Sequence, residues 1–164
     1  MPEERVVVSN STVIIAFSYL ELLSILKQLY QEITIAQEVY HELEKAKGKP
    51  GSNIDKEYWI KVKAIHDPRL KEYLSLNLDK GEAETIALAE EIKANLVLID
   101  DFWGRKMAKR RGLKISGTLG ILVTAKKNGF IKEVHPLLDK LIDFGFWMSE
   151  ELYQNVLIEA EEVS

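Results

Sequence analysis

The chain has 164 residues, 46% hydrophobic and 29% charged, with a net charge of −4 and an isoelectric point near 5.5. That is the composition of a soluble globular chain, its length fits one domain over 1–164, and the lack of cysteine excludes disulfides, thiolate zinc sites and cysteine nucleophiles. No apolar run approaches the ~18 residues of a membrane span, and the opening MPEERVVVS lacks the apolar stretch of a signal peptide, so a cytoplasmic protein with no membrane segment is expected.

RVVVS (Arg5–Ser9) is a short run rich in β-branched residues and reads as a strand buried on both faces, as in a parallel sheet. The segment STVIIAFSYLELLSILKQLY is long enough for one or two helices. EITIA (Glu32–Ala36) reads as a second strand. QEVYHELEKA reads as an amphipathic helix with Val39, Leu43 and Ala46 on one stripe. KGKPGSN (Lys47–Asn53) is a loop by its glycines, proline and serine. Tyr58–Ile65 is ambiguous between strand and helix. DPRLKEYL is a short helix with Asp67 as N-cap and Pro68 in its first turn. DKGEAETIALAEEIKA is a helix, NLVLI a third strand and GLKIS a fourth. TLGILVTAKKNG is a helix ended by Gly129, and VHPLLDKLIDFG and SEELYQNVLIEAEE are two more.

Strands alternating with helices predict an α/β sandwich with a mainly parallel sheet of about four to five strands and helices on both faces. In such sheets functional groups collect beyond the carboxyl ends of the strands. There the first strand presents Asn10, Ser11 and Thr12, NLVLI presents Asp100 and Asp101, and LKI presents Ser116 and Thr118. A helix leading into a parallel strand runs antiparallel to it, so the start of GEAETIALAEE falls at the same edge and brings Glu82. Glu82 shares a helix face with Ile86 and Ala89, while Glu84 and Glu91 are expected on the opposite side. Glu42 lies on the flank of the Val39 stripe.

Each acid also has a plain structural reading. Asp79 and Glu82 form D-x-x-E, a capping box. Asp100 or Asp101 can cap the next helix, and Glu42 can be a solvated helix acid. Several carboxylates gathered at one edge cannot all ionise cheaply without a cation. Hard oxygen ligands select Mg²⁺ or Mn²⁺ over Zn²⁺. His41, His66 and His135 show no metal-ligand spacing. Overall charge gives no pointer to nucleic acid, but a local basic run, Arg105–Lys114, follows the acids. It reads either as a solvated helix face or as phosphate contacts beside a carboxylate–metal centre.

These stretches resemble the PIN-domain superfamily of metal-dependent ribonucleases, which includes the VapC-like toxins. The similarity covers nearly the whole chain and is nearest to a prokaryotic subgroup described as nucleic-acid-binding. VVVSNSTVIIAF is similar to the family's opening strand and first acid, ITIAQEVYHELE to its second motif, and LDKGEAETIALAEEIKANLVLIDD to the stretch with its third and fourth acids. DDFWGRKMAKRRGLKISGTLGIL matches the subgroup's continuation, with Gly117 and Gly120 before a helix. The resemblance implies a PIN-like three-layer sandwich and a catalytic set of Glu42, Glu82 and Asp100. It implies Mg²⁺ or Mn²⁺ held by these acids with Asn10 and Asp101, and single-stranded RNA as substrate. It leaves open whether an antitoxin protein is a partner.

The sequence departs from the family at its first acidic position, where Asn10 stands for Asp. An amide oxygen still binds a hard cation but brings no charge. At ~4 Å and an effective dielectric near 20, that charge is worth a few kcal/mol before screening. Asp101 is the candidate compensating carboxylate. Candidate nucleic-acid contacts are Ser11, Thr12, Arg105, Lys106, Lys109 and Arg110. The expected activity is therefore endoribonuclease, the alternative a PIN-fold binding module without cleavage. A receiver-like signalling domain is a weaker rival, since Lys114 precedes the end of its strand instead of following it. Phe144, Phe146, Trp147, Tyr153 and Leu157 make the C-terminal region apolar enough for a homodimer face, with core packing as the equal alternative.

Overall fold

The short β-branched runs form five strands and the amphipathic segments between them form helices. The computed structural model describes residues 5–163. In chain order the elements are β1 (Val7–Ser9), α1 (Ser11–Tyr19), α2 (Leu23–Tyr30), β2 (Ile33–Ala36), α3 (Gln37–Lys45), β3 (Ile60–Lys63), α4 (Pro68–Leu74), α5 (Lys80–Glu91), β4 (Leu96–Leu98), α6 (Phe102–Arg110), β5 (Ile115–Ser116), α7 (Thr118–Lys127), α8 (His135–Phe144) and α9 (Glu150–Glu159). The sheet is parallel throughout, in the order β3-β2-β1-β4-β5. With helices on both faces this is the PIN-like three-layer α/β sandwich. Every residue of β1, β2 and β4 is buried, as central parallel strands must be.

The ambiguous Tyr58–Ile65 segment resolves as β3. It is an edge strand whose Ile60 is buried while Lys61–Lys63 face water, so its burial does not follow the alternation of its residues. Its lysines keep the open edge from pairing with other chains. The segment after β1 divides into α1 and α2 at Glu21, which has a positive φ of 58°. Helix starts follow the local chemistry. The Asp67 carboxylate accepts from the Arg69 N–H at 3.0 Å with Pro68 in the first turn, and Gly145 ends α8 at φ 106°.

The main core gathers residues from all five strands, including Val8, Ile33, Ile35, Val97 and Leu98, with Phe17, Leu26 and Ile121 from the helices. Leu74, Leu78, Ala83, Ile86 and Ala108 form a smaller cluster among α4, α5 and α6. α5 is the most enclosed helix, resting on β1 and β2 and covered by α3, α4 and α6. This corrects the expectation for Glu84, which is buried at 4% exposure instead of facing solvent. α5 has no solvent face there. α4 supplies Lys71 at 2.6 Å from the Glu84 carboxylate, and the Glu38 backbone N–H at the start of α3 donates to it at 3.2 Å. Glu91 is exposed, as expected. Among the described residues no helix is long and apolar enough to cross a membrane.

Candidate active site

The strand order reverses direction about β1, with β2 on one side and β4 on the other. Diverging crossovers leave a crevice beyond the carboxyl ends of β1 and β4. Ser9 pairs with Leu98, and the Asn10 N–H donates to the Leu98 carbonyl at 2.9 Å. Asn10 and Asp100 therefore leave the sheet side by side in the chain's most favourable place for a site. The starts of α1, α5, α6 and α7 meet the same edge.

Asn10 is the N-cap of α1. It is buried, and its side-chain oxygen accepts from the Val13 N–H at 3.3 Å. The adjacent Ser11 hydroxyl donates to Glu42 Oε2 at 2.7 Å, linking α1 to α3. Glu42 is exposed as a whole residue, but its carboxyl group lies against Gly81, where an added Cβ would collide with Oε1 and stand 3.0 Å from Oε2. Only glycine at this point of α5 permits so close an approach. Burial of the carboxyl group raises the Glu42 pKa. The Ser11 bond opposes the rise, and the nearby Asp79 adds to it.

Asp79 caps α5 by accepting from the Glu82 N–H at 2.8 Å. Its carboxylate also bears on the Glu82 side chain. Glu82 is half-buried, and its pKa rises to about 8, chiefly through burial, then through the charges of Asp79 and Asp101 and a hydrogen bond with Asp79. Asp101 in turn caps α6, accepting from the Gly104 N–H at 2.8 Å. Negative charge thus accumulates around Glu82, and among the described residues no cation pairs with it.

Asp100 is set differently. The Thr118 N–H donates to Oδ1 at 2.7 Å and the Thr118 hydroxyl to Oδ2 at 2.6 Å, tying β4 to the start of α7. Burial raises its pKa, while both Thr118 bonds and the Arg105 charge pull it back. Arg105 is anchored beside it by donating to the Ile99 carbonyl at 2.8 Å. A Cβ at position 117 would stand 2.6 Å from Arg105 Nη1 and 2.7 Å from Asp100 Oδ1, so glycine at this position leaves room for both side chains over the turn.

The structure brings Glu42, Asp79, Glu82 and Asp101 into one electrostatic neighbourhood and seats Asp100 against Thr118 and Arg105. It does not gather Glu42, Glu82 and Asp100 into a preformed cage. Among the described residues no three Asp, Glu or His side chains stand close enough to hold a metal ion together. The donors are nevertheless all oxygen, and the crowding that raises Glu82 is a charge imbalance that a cation relieves. Magnesium commonly binds through one or two carboxylates and fills its shell with water and substrate phosphate. The residues present fit a hard divalent cation bound in that open manner.

Lys106, Lys109 and Arg110 are exposed on α6, and Thr12 is exposed on α1. Arg105 is partly covered, donating to the Ile99 carbonyl with its charge felt at Asp100. Arg111 is drawn away to Glu90 of α5. Four residues escape a reading of the sequence alone, in whole or in part. Asp79 is recognisable there only as a cap. Thr118 is legible as a residue at the edge but not as the partner of Asp100. Phe102 and Trp103 stand 67% and 61% exposed immediately after the acids, and the FW pair following DD is their sequence signal.

A family model described as a PIN domain matches residues 6–162. No curated protein matches the chain. The parallel sheet, the acids at its reversal point and the match over nearly the whole length agree, and the chain belongs to the PIN-domain family.

Proposed function

We propose that the protein is a divalent-metal-dependent endoribonuclease working at the edge formed by β1, β4 and the start of α5. The observation that carries this reading is the meeting of Glu82 with the two helix-capping carboxylates Asp79 and Asp101 at the reversal point of the sheet, a crowding that with burial raises the Glu82 pKa to about 8. Such a concentration of carboxylates is costly to the fold and is characteristic of a site built for a cation. Mg²⁺ or Mn²⁺ would be held by Glu82 and Asp101, with Glu42, Asp100 and the Asn10 oxygen bordering it. When bound, the cation supplies Lewis-acid charge for phosphodiester hydrolysis.

The chain's own groups divide the remaining work. Glu82, in the metal-free protein, holds a proton through neutral pH beside the Asp79 carboxylate. Glu42 is kept in place by Ser11 and by the gap at Gly81. Thr118 fixes both oxygens of Asp100 while leaving each a further lone pair. Arg105 places a guanidinium beside them, where it would meet a phosphate oxygen. Lys106, Lys109 and Arg110 continue the positive charge along α6 toward solvent, suited to a nucleic-acid backbone.

A second reading, a PIN-fold binding module that does not cleave, is favoured by one observation: Asn10 spends its side-chain oxygen on the Val13 N–H and brings no charge. Cleavage of a fluorescent single-stranded RNA, with Mn²⁺ or Mg²⁺ and with a chelator, separates the two. The first reading expects metal-dependent cleavage by the parent, reduced at least about a hundredfold in Glu82→Gln. The second expects RNA binding without cleavage by the parent and a gain of cleavage in Asn10→Asp.

A further inference from the structure

We infer that Phe102 and Trp103 form a base-stacking platform for single-stranded nucleic acid at the mouth of the crevice. The inference rests on the reading of that crevice as a nucleic-acid site. Phe102 and Trp103 are the first two residues of α6, directly after Asp100 and Asp101. Both rings are largely open to water, and they meet edge to face with centroids 5.2 Å apart and planes at 80°. Packing does not explain them. The buried positions of α6 are Gly104 and Ala108, and these are what hold the helix to the fold. Two large aromatic rings left in solvent at the start of a helix are costly unless something covers them.

The surroundings select the partner. Lys106 places its ammonium 5.4 Å from the Trp103 ring centroid. At helical spacing Lys106 follows Phe102 by four residues and Trp103 by three, and Lys109 and Arg110 continue the same exposed face. A protein-binding hot spot buries its aromatics amid a depleted charge. Here flat π surfaces are interleaved with cations along one stripe, which is the composition of a single-strand groove: rings for bases, cations for phosphates. Arg105 lies on the crevice side of the platform, held to the Ile99 carbonyl. A strand stacked on Trp103 and Phe102 therefore runs with its backbone along α6 and its next phosphate toward Asp100 and Glu82. Base stacking tolerates any sequence, because every base has a π face.

Binding is read by anisotropy of labelled dodecamers of RNA, DNA and abasic DNA, in chelator, so that cleavage plays no part. Trp103→Ala is expected to weaken binding to the base-bearing oligomers by about 5- to 150-fold, and Trp103→Phe to recover most of it. The slope of affinity against salt should stay at the parent value, since stacking releases no counterions, whereas Lys109→Ala with Arg110→Ala should flatten it. Abasic DNA should bind the parent and Trp103→Ala equally. The RNA and DNA arms show whether the platform prefers one sugar. Trp147→Ala, which removes a still more exposed indole elsewhere, should change nothing. The inference is overturned if the parent binds no oligomer, if Trp103→Ala binds as the parent does, or if it loses abasic DNA as readily as base-bearing DNA. It is also overturned if sedimentation shows that Phe102→Ala and Trp103→Ala change self-association while leaving oligomer affinity intact. Because no metal is present, a protein that binds through this platform yet never cleaves contradicts the nuclease reading alone.

Discussion

At Glu82 a carboxyl group keeps its proton past neutrality because burial and two neighbouring carboxylates oppose its charge. Its ordinary value of 4.5 applies to the unfolded chain and about 8 to the folded one. Between those values the folded state holds the extra proton, so this group makes stability fall as pH rises from about 4.5 to about 8 and then level off. Glu82→Gln is neutral throughout. In chelator, the Tm of the variant should exceed that of the parent at pH 8 and the gap should close toward pH 5. Glu82 is only half-buried, so solvent screening reduces the effect to about 1–2 kcal/mol, or about 2–8 °C. Parallel Tm profiles for the two proteins would show that Glu82 ionises freely. The inward setting of Glu82 was legible because Ile86 and Ala89 follow it at helical spacing. Its charged neighbours were not, since Asp79 and Asp101 converge on it only after α5 and α6 are placed. Glu84 misled for a related reason. A helical period marks one solvent face, and α5 has none at that position.

Among the elements, α3, α4 and α5 are joined by a polar latch. The buried Glu84 is met by Lys71 at 2.6 Å, with Glu38 a further 3.5 Å partner of the same ammonium and its backbone N–H a donor to Glu84. Lys71→Met leaves a buried carboxylate without its cation, which typically costs about 3 kcal/mol or more, or about 6–12 °C in Tm. Lys71→Met combined with Glu84→Leu should recover most of that loss. Thermal unfolding of the single and double variants checks this, and equal destabilisation by both would mean that the ion pair is not what joins the helices. Most elements could be read from the sequence because their ends carry explicit chemistry, such as Asp67–Pro68, Asp79 and Gly129. The break between α1 and α2 could not. Glu21 takes a left-handed conformation with no glycine or proline to announce it, so tertiary packing decides the turn. β3 stayed ambiguous because Ile60–Lys63 alternates apolar and charged residues over only four positions, too few to exclude a helix, and on an edge strand only Ile60 is buried.

For the whole molecule, the parallel sheet followed from alternating strands and helices, and the choice of a candidate edge rested on the rule that parallel strands present function at their carboxyl ends. The order β3-β2-β1-β4-β5 is a product of long-range pairing and is what puts Asn10 beside Asp100. No local pattern specifies it. The resemblance carried together by VVVSNSTVIIAF, ITIAQEVYHELE and LDKGEAETIALAEEIKANLVLIDD reached further than periodicity could, because it relates segments distant in the chain. The match to a PIN domain over residues 6–162 agrees with it. What neither the pattern nor the resemblance conveyed is how open the site is: Asp100 rests on Thr118, Glu42 on Ser11, and Glu82 is left among Asp79 and Asp101. The most direct test is anomalous diffraction from crystals soaked in Mn²⁺. The account predicts a manganese peak at bonding distance, about 2.0–2.6 Å, from carboxylate oxygens of Glu82 and Asp101, and its disappearance in Glu82→Gln. Saturating Mn²⁺ with no peak in this crevice, or a peak that survives Glu82→Gln unchanged, would contradict it.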